Sequence, residues 1–469
     1  MNSKNREPIP LFISLLVGFK GKIFPVALRL NLQPFLTLPC GYEIIHLTAN
    51  LLEAGKSVPL MKFLRKPRSR IFYFRLCFAL VVLGYGLGSL AYGLYGIGWG
   101  LTSQDFRDMW GKDLGRDFVG FYAGAKLAWT DPAAVFSVPK FQAMREEVMG
   151  RPLSGLLPWS YPPVFLVMVM PLAFLPYKVA YFAWMAATLY GYWRIIHRIA
   201  PHPATLWLFL AFPGVMWNIG YGQNGFLAGI FLGGGLLLME RRPWAGGVCL
   251  GLLCYKPQLA LLVPIALAAG RHWRTLTAAG LTALGAVLAS ILVLGWEPWV
   301  AFWKNLNFAK GFLHILELRA KMPTVFTAAH GAGASAGTAA ALQMLGSLTA
   351  AALVAWAWLR RASLPLRGSL LVLAIFLTTP YAFESDLALL ALPMAWLGWE
   401  AYRRRRELDE IILAYCWVGL LLAAHVFKTK TWQTYPVVIL TLLSFTIYRI
   451  VHPGPSNPSS GSGNGHRSQ

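Results

Sequence analysis

Residues 115–126 of the chain read GRDFVGFYAGAK and lie within residues 100–163, the longest polar interval between its apolar runs. Seven of the nineteen acidic residues fall between Leu101 and Gly150. Because the sequence on both sides is strongly apolar, this concentration of charge indicates the part of the molecule where water and chemistry meet. We interpret the rest of the chain as a scaffold that holds this loop.

The composition favours a membrane protein. Of the 469 residues, 57% are hydrophobic and only 13% are charged, whereas soluble domains average about 45–50% apolar and about 25% charged residues. Runs of roughly 17–25 apolar residues, each long enough to cross a bilayer, recur along most of the chain. The sequence therefore predicts an all-α membrane protein with many crossings.

The net charge of +23 is distributed as short basic clusters at the ends of apolar runs, as in cytoplasmic membrane anchors. We therefore expect membrane lipids, and no nucleic acid, as partners. The five cysteines are scattered, and the polar loop contains no Asp-x-Asp. The sequence thus predicts neither a metal site nor a cofactor.

The positive-inside bias gives a predicted topology. The first span covers about residues 76–98, after the basic residues that follow Met61, and carries the polar loop outward. Residues 161–175 are interrupted by Pro171 and reach only about 22 Å, so we expect them to be partly inserted. The further predicted spans are roughly 178–196, 204–218, 222–239, 244–255, 259–270, 276–294, 337–358, 369–383, 386–401, 410–427 and 435–450. Twelve crossings then place both termini in the cytoplasm.

Five basic clusters support this topology, because all of them fall on its cytoplasmic side. They are Arg194 with Arg198, Arg241 with Arg242, Arg271 with Arg274, Arg360 and Arg361 with Arg367, and Arg403 to Arg406.

Three regions are predicted along the chain. Residues 1–60 contain moderate apolar runs broken by prolines, and we interpret them as an upstream extension or a misassigned start. Residues 61–452 form the membrane domain, with a first outer loop at about 99–163. Residues 453–469 are rich in Gly, Ser, Pro and Asn, which predicts disorder.

The topology also decides which polar residues share the outer face. Besides the loop, these are residues 221–224, 255–258, 295–336, 378–386 and 428–433. Lys256 lies at a tip between two short helices of about 18 Å each, so it should lie below the outer interface and face an interior cavity. A lysine in that position is costly unless it meets an anion.

Five motifs occur in order along the chain: Asp117-Phe118 with Tyr122 and Ala125, Tyr161-Pro162-Pro163, Pro171-Leu172-Ala173, Gly222-Gln223-Asn224, and Gly251 with Lys256-Pro257-Gln258. As an ordered series within about residues 70–450, they resemble glycosyltransferase family 87 of the C-type membrane glycosyltransferase superfamily. The resemblance implies a C-type arrangement of about twelve transmembrane helices with a long outer first loop. Within this superfamily, the chain resembles polyprenol-phosphate-mannose-dependent mannosyltransferases.

The activity implied by the resemblance is an inverting hexosyl transfer, mannose-like, from a polyprenyl-phosphate-sugar donor to a lipid or glycan acceptor. The site would face the periplasm or cell exterior from the plasma (inner) membrane, where no nucleotide sugars are supplied. Mannosyltransferases of the family carry histidine where this chain has Ser385-Asp386, which leaves the sugar and acceptor open. The alternative is a transporter or flippase for lipid-linked sugars. The acids concentrated in one loop, with no internal repeat, favour the enzyme.

The resemblance implies that an acid in the first outer loop is the catalytic base, and Asp117 occupies the matching position. Such a base takes the proton of the acceptor hydroxyl as that hydroxyl attacks the sugar. Judged on its spacing alone, Asp117 is more typical of a solvated loop acid or of an N-cap for a helix over residues 118–129. Asp105 is the second candidate for the base.

Cations and polar side chains complete the predicted site. Lys256 is expected to hold the donor phosphate, with Arg116 and Lys126 as second candidates, although each is also typical of an interfacial anchor. The predicted substrate-binding residues are Tyr122, Tyr161, Gln223, Asn224, Gln258, Glu384 and Asp386. Most of them have a more ordinary interpretation. Gln223 and Asn224 could cap the following helix, and Tyr161 could belong to an aromatic belt at the membrane interface. Glu384 and Asp386 could lie in the water outside the membrane.

Overall fold

The computed structural model describes residues 67–103, 106–108, 111–153, 155, 158–311, 321–425 and 435–453. By internal contacts the chain divides into two units, residues 1–75 and residues 76–469. Residues 67–75 of the first unit are helical. The predicted extension over residues 1–60, the candidate base Asp105 and the tail beyond residue 453 lie outside the described residues.

The described residues are helical, and their only extended pairing is an isolated bridge between Arg107 and Asp113. The α-helices are α1 (Pro67–Thr102), α2 (Phe118–Thr130), α3 (Val138–Met149), α4 (Pro163–Val169), α5 (Tyr177–Ile199), α6 (Ala204–Leu210), α7 (Pro213–Tyr221), α8 (Gly225–Leu238), α9 (Pro243–Leu252), α10 (Pro257–Ala260), α11 (Val263–Ala269), α12 (Trp273–Leu294), α13 (Glu297–Gly311), α14 (Val325–Gly331), α15 (Ala336–Leu359), α16 (Leu364–Thr378), α17 (Ala391–Arg403), α18 (Glu407–His425) and α19 (Tyr435–Val451). Short 3-10 helices cover Pro132–Phe136, Met170–Phe174, Leu253–Tyr255 and Glu384–Leu390. The all-α prediction is confirmed for the described part of the chain.

Proline divides several of the predicted spans into shorter helices. The predicted span 204–218 consists of α6 and α7, which are separated where Pro213 opens the second helix. Residues 161–175 form α4 followed by a 3-10 helix that contains Pro171. The physical reason is that proline lacks a backbone donor and disfavours helical backbone at the preceding residue.

Three helices within the described ranges are long and apolar enough to cross a membrane, by length and composition: Ile71–Thr102, Trp273–Leu294 and Ala336–Leu359. Only 11%, 11% and 22% of their most apolar windows are buried inside the protein. Exposed apolar surface of this extent requires an apolar surrounding, which a bilayer supplies. Six further apolar helices have 10–17 residues, and the total of about twelve crossings stays a prediction.

Helix α16 forms the centre of the fold. All its residues from Leu366 to Leu377 are buried, and apart from Arg367 and Ser369 they are apolar or glycine, as expected for a helix in the core. It packs against α15, α17 and α19. The 3-10 helix Glu384–Leu390 follows it and is also buried throughout. The chain therefore carries two carboxylates, Glu384 and Asp386, into the interior.

Helices α9 and α12 pack closely at two glycines of α9. A Cβ atom at Gly247 would lie 2.5 Å from the carbonyl oxygen of Thr275, and one at Gly251 would lie 2.5 Å from the carbonyl oxygen of Ala279. These two glycines, four residues apart on one face of α9, let the helix backbones approach closely, as small residues do in membrane helix pairs. Gly251 is thereby explained as a packing residue within the family-like motif.

We predict that Gly251→Ala destabilises the protein by about 1–3 kcal/mol, because the added methyl group meets backbone that cannot move aside. Gly285→Ala on α12 is the matched control, since a Cβ atom there meets nothing within 4 Å. Alanine also favours a helix over glycine by about 1 kcal/mol. Thermal unfolding in detergent should therefore show a lower midpoint for the first variant only. Equal midpoints for the two variants would contradict the packing role.

Candidate functional site

Asp117 lies directly before α2 and is fastened to the loop that precedes α8. Its backbone N–H donates to the carbonyl oxygen of Tyr221 at 2.9 Å. Its side chain makes no capping hydrogen bond. Instead, Oδ2 accepts a hydrogen bond from Nε2 of Gln223 at 2.7 Å. The helix-capping interpretation of the Asp117 side chain is therefore wrong.

Two glycines bring Asp117 and Gln223 together. Gly115 and Gly222 have φ angles of +63° and +68°, in the left-handed region that favours glycine. A Cβ atom at Gly222 would lie 2.8 Å from Cβ of Phe118 and 3.1 Å from Cα of Gly115. The two turns thus pack backbone against backbone, which leaves the side chains of the next residues within hydrogen-bonding distance.

The amide of Gln223 is oriented by its neighbours. Its Oε1 accepts from the hydroxyl of Tyr161 at 3.3 Å and from the backbone N–H of Asn224 at 3.1 Å, which leaves the NH₂ group for Asp117. Asn218 holds the turn from both sides: its Nδ2 donates to the carbonyl of Gln223, and its Oδ1 accepts from the N–H of Gly225. Asn224 does not cap α8 with its side chain, so the capping alternative fails for this residue.

Lys256 and Asp386 form a buried ion pair. The ammonium Nζ of Lys256 donates to Oδ1 of Asp386 at 2.6 Å and to Oδ1 of Asn224 at 3.1 Å. The side chains of Lys256 and Asp386 are only 4% and 0% exposed. The other oxygen of Asp386 accepts from the backbone N–H of Phe383 at 3.0 Å. The anion beside this buried lysine is therefore a carboxylate of the same chain, while the cavity and the donor phosphate expected next to Lys256 stay predictions.

Glu384 is also buried, which contradicts the alternative that places it and Asp386 in outer water. Its backbone N–H donates to the carbonyl of Lys321 at 2.9 Å. Its Oε1 accepts from the hydroxyl of Tyr435 at 3.5 Å. The 3-10 helix thus connects the site to α19 and to the segment before α14.

The other predicted residues lie at the edge of this network or outside it. Arg116 is partly exposed, lies 3.6 Å from the carboxylate of Asp108, and places its guanidinium 5.6 Å from the centre of the Tyr221 ring. The hydroxyl of Tyr122 donates to the carbonyl of Leu175 at 2.8 Å, and Lys126 is exposed beside the Tyr122 ring. Gln258 is partly buried on α10, two residues after Lys256.

Sequence reasoning missed two cations near Asp117. The ammonium of Lys321 lies 5.6 Å from the centre of the Tyr221 ring. Arg145 on α3 is buried, and its guanidinium donates to Oε1 of Gln142 at 2.6 Å. Lys321 could have been singled out by its position. It lies in a segment predicted to be on the outer face, where the positive-inside bias makes a lysine unusual. Neither residue belongs to a recognisable motif.

The pKa of the Asp117 carboxyl is raised above its ordinary value, because burial disfavours its charged form. The hydrogen bond from Gln223 and the charges of Lys321, Arg116 and Arg145 lower this pKa, in that order, without cancelling the effect of burial. A carboxylate tuned upward in this way is a better proton acceptor near neutral pH than a solvated one. Within the described ranges, no group of three or more His, Cys, Asp or Glu residues could hold a metal ion.

We predict that Lys256→Ala destabilises the protein by about 3–5 kcal/mol, because it leaves the Asp386 carboxylate buried without its cation. The double variant Lys256→Met with Asp386→Leu removes both charges and should recover most of the loss. The thermal unfolding midpoints of the purified proteins in detergent measure both effects. A single variant as stable as the wild type would show that the pair does not hold the site together.

Comparison with known proteins found one family. The model of glycosyltransferase family 87 matches residues 159–380. This range contains Tyr161, Gln223, Asn224 and Lys256, whereas Asp117 and Asp386 lie on either side of it. No curated protein and no solved structure matches the chain.

Proposed function

From its assignment to glycosyltransferase family 87 through residues 159–380, we propose that this membrane glycosyltransferase uses a polyprenyl-phosphate-sugar donor. The transferred group is a hexose, mannose-like, and the acceptor is a lipid or a glycan on the outer face of the plasma (inner) membrane. The family assignment favours a transferase over a transporter of lipid-linked sugars. The observation that carries the chemical part of the proposal is the partly buried carboxylate of Asp117, which is held by Gln223 and whose pKa is lowered by the charges of three cations.

In the proposed reaction, Asp117 acts as the general base. The acceptor hydroxyl oxygen attacks the anomeric carbon from the face opposite the phosphate. The bond between the anomeric carbon and the phosphate oxygen breaks, and its electron pair leaves with the polyprenyl phosphate. The proton of the acceptor hydroxyl passes to Asp117, and the configuration at the anomeric carbon inverts. The proposed reaction uses cationic side chains, and no metal, to meet the charge that forms on the phosphate.

Arg116 and Lys321 are the proposed ligands of the donor phosphate. Both cationic groups lie 5.6 Å from the centre of the Tyr221 ring, whose residue bonds to the backbone of Asp117, and this position supports the proposal. Charge-assisted hydrogen bonds to phosphate are among the stronger polar interactions in proteins. Lys256 instead pairs with Asp386, so we assign it to the support of the site.

Tyr161 and Gln223 are the proposed contacts of the sugar. The Tyr161 hydroxyl reaches Oε1 of Gln223, and Tyr161 is only partly buried. An aromatic ring with a polar tip suits a sugar ring, which has both apolar faces and hydroxyl edges.

We predict that Asp117→Asn lowers turnover by about 10²–10⁴-fold, because the amide keeps the size of the side chain but cannot accept the proton. Donor binding should survive, since the surrounding cations remain. The assay uses purified protein, candidate polyprenyl-phosphate-sugars and a membrane lipid extract. Asp131→Asn is the matched control, because Asp131 lies at the other end of α2 and bonds to Lys140 at 3.0 Å.

Near-normal turnover in Asp117→Asn would overturn the assignment of the base. If Asp105→Asn is the inactive variant instead, the reaction stands and the base lies twelve residues earlier in the loop. If both variants are active in an assay that detects transfer, the first outer loop does not supply the base.

A second prediction concerns the pH dependence of turnover. The amide of Gln223 donates to the Asp117 carboxylate and so favours the charged form. Gln223→Leu should therefore raise the pKa of Asp117 further and shift the acid limb of the turnover profile to higher pH. Turnover at saturating donor, measured across pH, tests this shift. Asn305→Leu, at a partly exposed position of α13, is the control, and an acid limb that stays in place or moves to lower pH would contradict the role of Gln223.

A further inference from the structure

Three helices end at an arginine whose backbone is left-handed. Arg271 follows α11 with a φ of 57°, Arg361 follows α15 with a φ of 51°, and Arg405 follows α17 with a φ of 50°. Glycine is the usual residue in this conformation, because the Cβ atom of any other residue crowds the neighbouring carbonyl. Each arginine therefore weakens the turn in which it lies.

The turns themselves need no arginine side chain, since they are made by backbone bonds. At the end of α11, the N–H of Arg271 donates to the carbonyl of Ala268 at 3.0 Å, and the next N–H, of His272, donates to that of Leu267 at 2.8 Å. This pair of bonds defines a Schellman motif. The same pair occurs at the other two ends, where Arg361 bonds to Trp358 and Arg405 bonds to Tyr402.

Elsewhere the chain builds the same turn with glycine. Gly150, Gly222 and Gly333 have φ angles of 65°, 68° and 96°. Each donates its N–H three residues back, and the following N–H donates five residues back. These glycine turns lie in or beside segments predicted to face outward. The chain can therefore use glycine in this motif, and it uses arginine in three turns of the end predicted to be cytoplasmic.

The arginine turns of α11 and α15 are neighbours. The ring of His272, next to Arg271, lies 5.7 Å from the ring of Trp358. Trp358 is also the residue whose carbonyl accepts from Arg361. A Cβ atom at Gly270 would lie 2.7 Å from the Trp358 ring. One buried tryptophan thus joins the two turns.

The third arginine turn lies at the same end of the helices. Helix α16 begins at Leu364, three residues after Arg361, and runs toward the site at Asp386. Helix α17 packs against α16, and its Trp396 lies 3.3 Å from the Cβ position of Gly368 near the start of α16. Arg405, nine residues beyond Trp396, therefore lies at the end remote from Asp386.

The three arginine side chains are exposed, and none of them has an ion pair among the described residues. Acidic side chains at this end bond to other arginines: Glu240 to Arg367 at 2.5 Å and Glu400 to Arg404 at 3.2 Å. A favourable interaction with the helix dipole is available to an arginine with ordinary backbone in the last turn, as at Arg360 and Arg404. It does not require the left-handed position.

We propose that Arg271, Arg361 and Arg405 bind the phosphate groups of anionic phospholipids at the cytoplasmic surface of the membrane. The planar guanidinium donates two parallel hydrogen bonds to phosphate, and the cytoplasmic leaflet is the anionic one. Anionic lipid thereby stabilises three helix ends whose turns the arginines weaken. The proposal is independent of the transferase reaction.

The test compares the thermal unfolding midpoints of wild type and the triple variant R271G/R361G/R405G. In neutral detergent the triple variant should be at least as stable as the wild type, because glycine suits the turn. Addition of phosphatidylglycerol should raise the wild-type midpoint, and the triple variant should lose more than about half of that rise. Phosphatidylcholine and inorganic phosphate at equal ionic strength should raise neither midpoint.

Two further variants make the result specific. R271K/R361K/R405K keeps the charges and should keep part of the rise. R241Q/R274Q/R403Q removes three exposed arginines of the predicted cytoplasmic side that have ordinary backbone. This variant should keep most of the rise in midpoint with phosphatidylglycerol.

Four outcomes would overturn the proposal. In the first, the triple glycine variant keeps the full rise with phosphatidylglycerol. In the second, it is less stable than the wild type in neutral detergent, which would show that the arginines stabilise their own helix ends without lipid. In the third, R241Q/R274Q/R403Q loses as much of the rise as the triple glycine variant does, which would show that only the number of positive charges matters. In the fourth, inorganic phosphate matches the effect of the lipid.

Discussion

The ion pair between Lys256 and Asp386 is the interaction on which the site depends. Moving two charges out of water costs several kcal/mol for each ion, and their attraction offsets this cost only when further hydrogen bonds satisfy both groups. Asn224 supplies such a bond to the lysine, and the N–H of Phe383 supplies one to the carboxylate. The pair thereby fastens three chain segments that are remote in sequence: the break between α9 and α10, the start of α8, and the 3-10 helix after α16.

Asp117, the proposed base, differs electrostatically from this ion pair. Lys256 and Asp386 neutralise each other in the interior, whereas Asp117 is bonded by a neutral amide and only approached by cations. A carboxylate in a direct ion pair would be a weak base, since the pair favours its charged form. The charges that hold the structure are therefore separate from the carboxylate that we propose accepts the proton.

Much of this could be predicted from the sequence, and the failures have physical causes. The apolar runs predicted helices because burial depends on composition, but the division of α6 from α7 depends on a single proline. The motif order predicted that Asp117 and Gln223 share a site, and the structure brings them together. The cost of a buried lysine correctly required an anion near Lys256, yet Asp386 lies 130 residues away, and no local pattern encodes such a pair. Lys321 was missed because a single charge in a long polar segment has no periodicity.

The contact between Gly115 and Gly222 has a consequence for how this protein can vary. A Cβ atom at Gly222 would lie 2.8 Å from Cβ of Phe118 and 3.1 Å from Cα of Gly115, whereas one at Gly115 would lie 2.6 Å from the ring of Tyr181. The turn at Gly222 therefore cannot take a side chain while residues 115–118 stay in place. Insertions and substitutions around residues 115–118 are therefore constrained by a turn more than a hundred residues later. The position of Asp117, the proposed base, is a property that the two segments can change only together, and the segment around Gly115 is less free to diverge than a loop usually is.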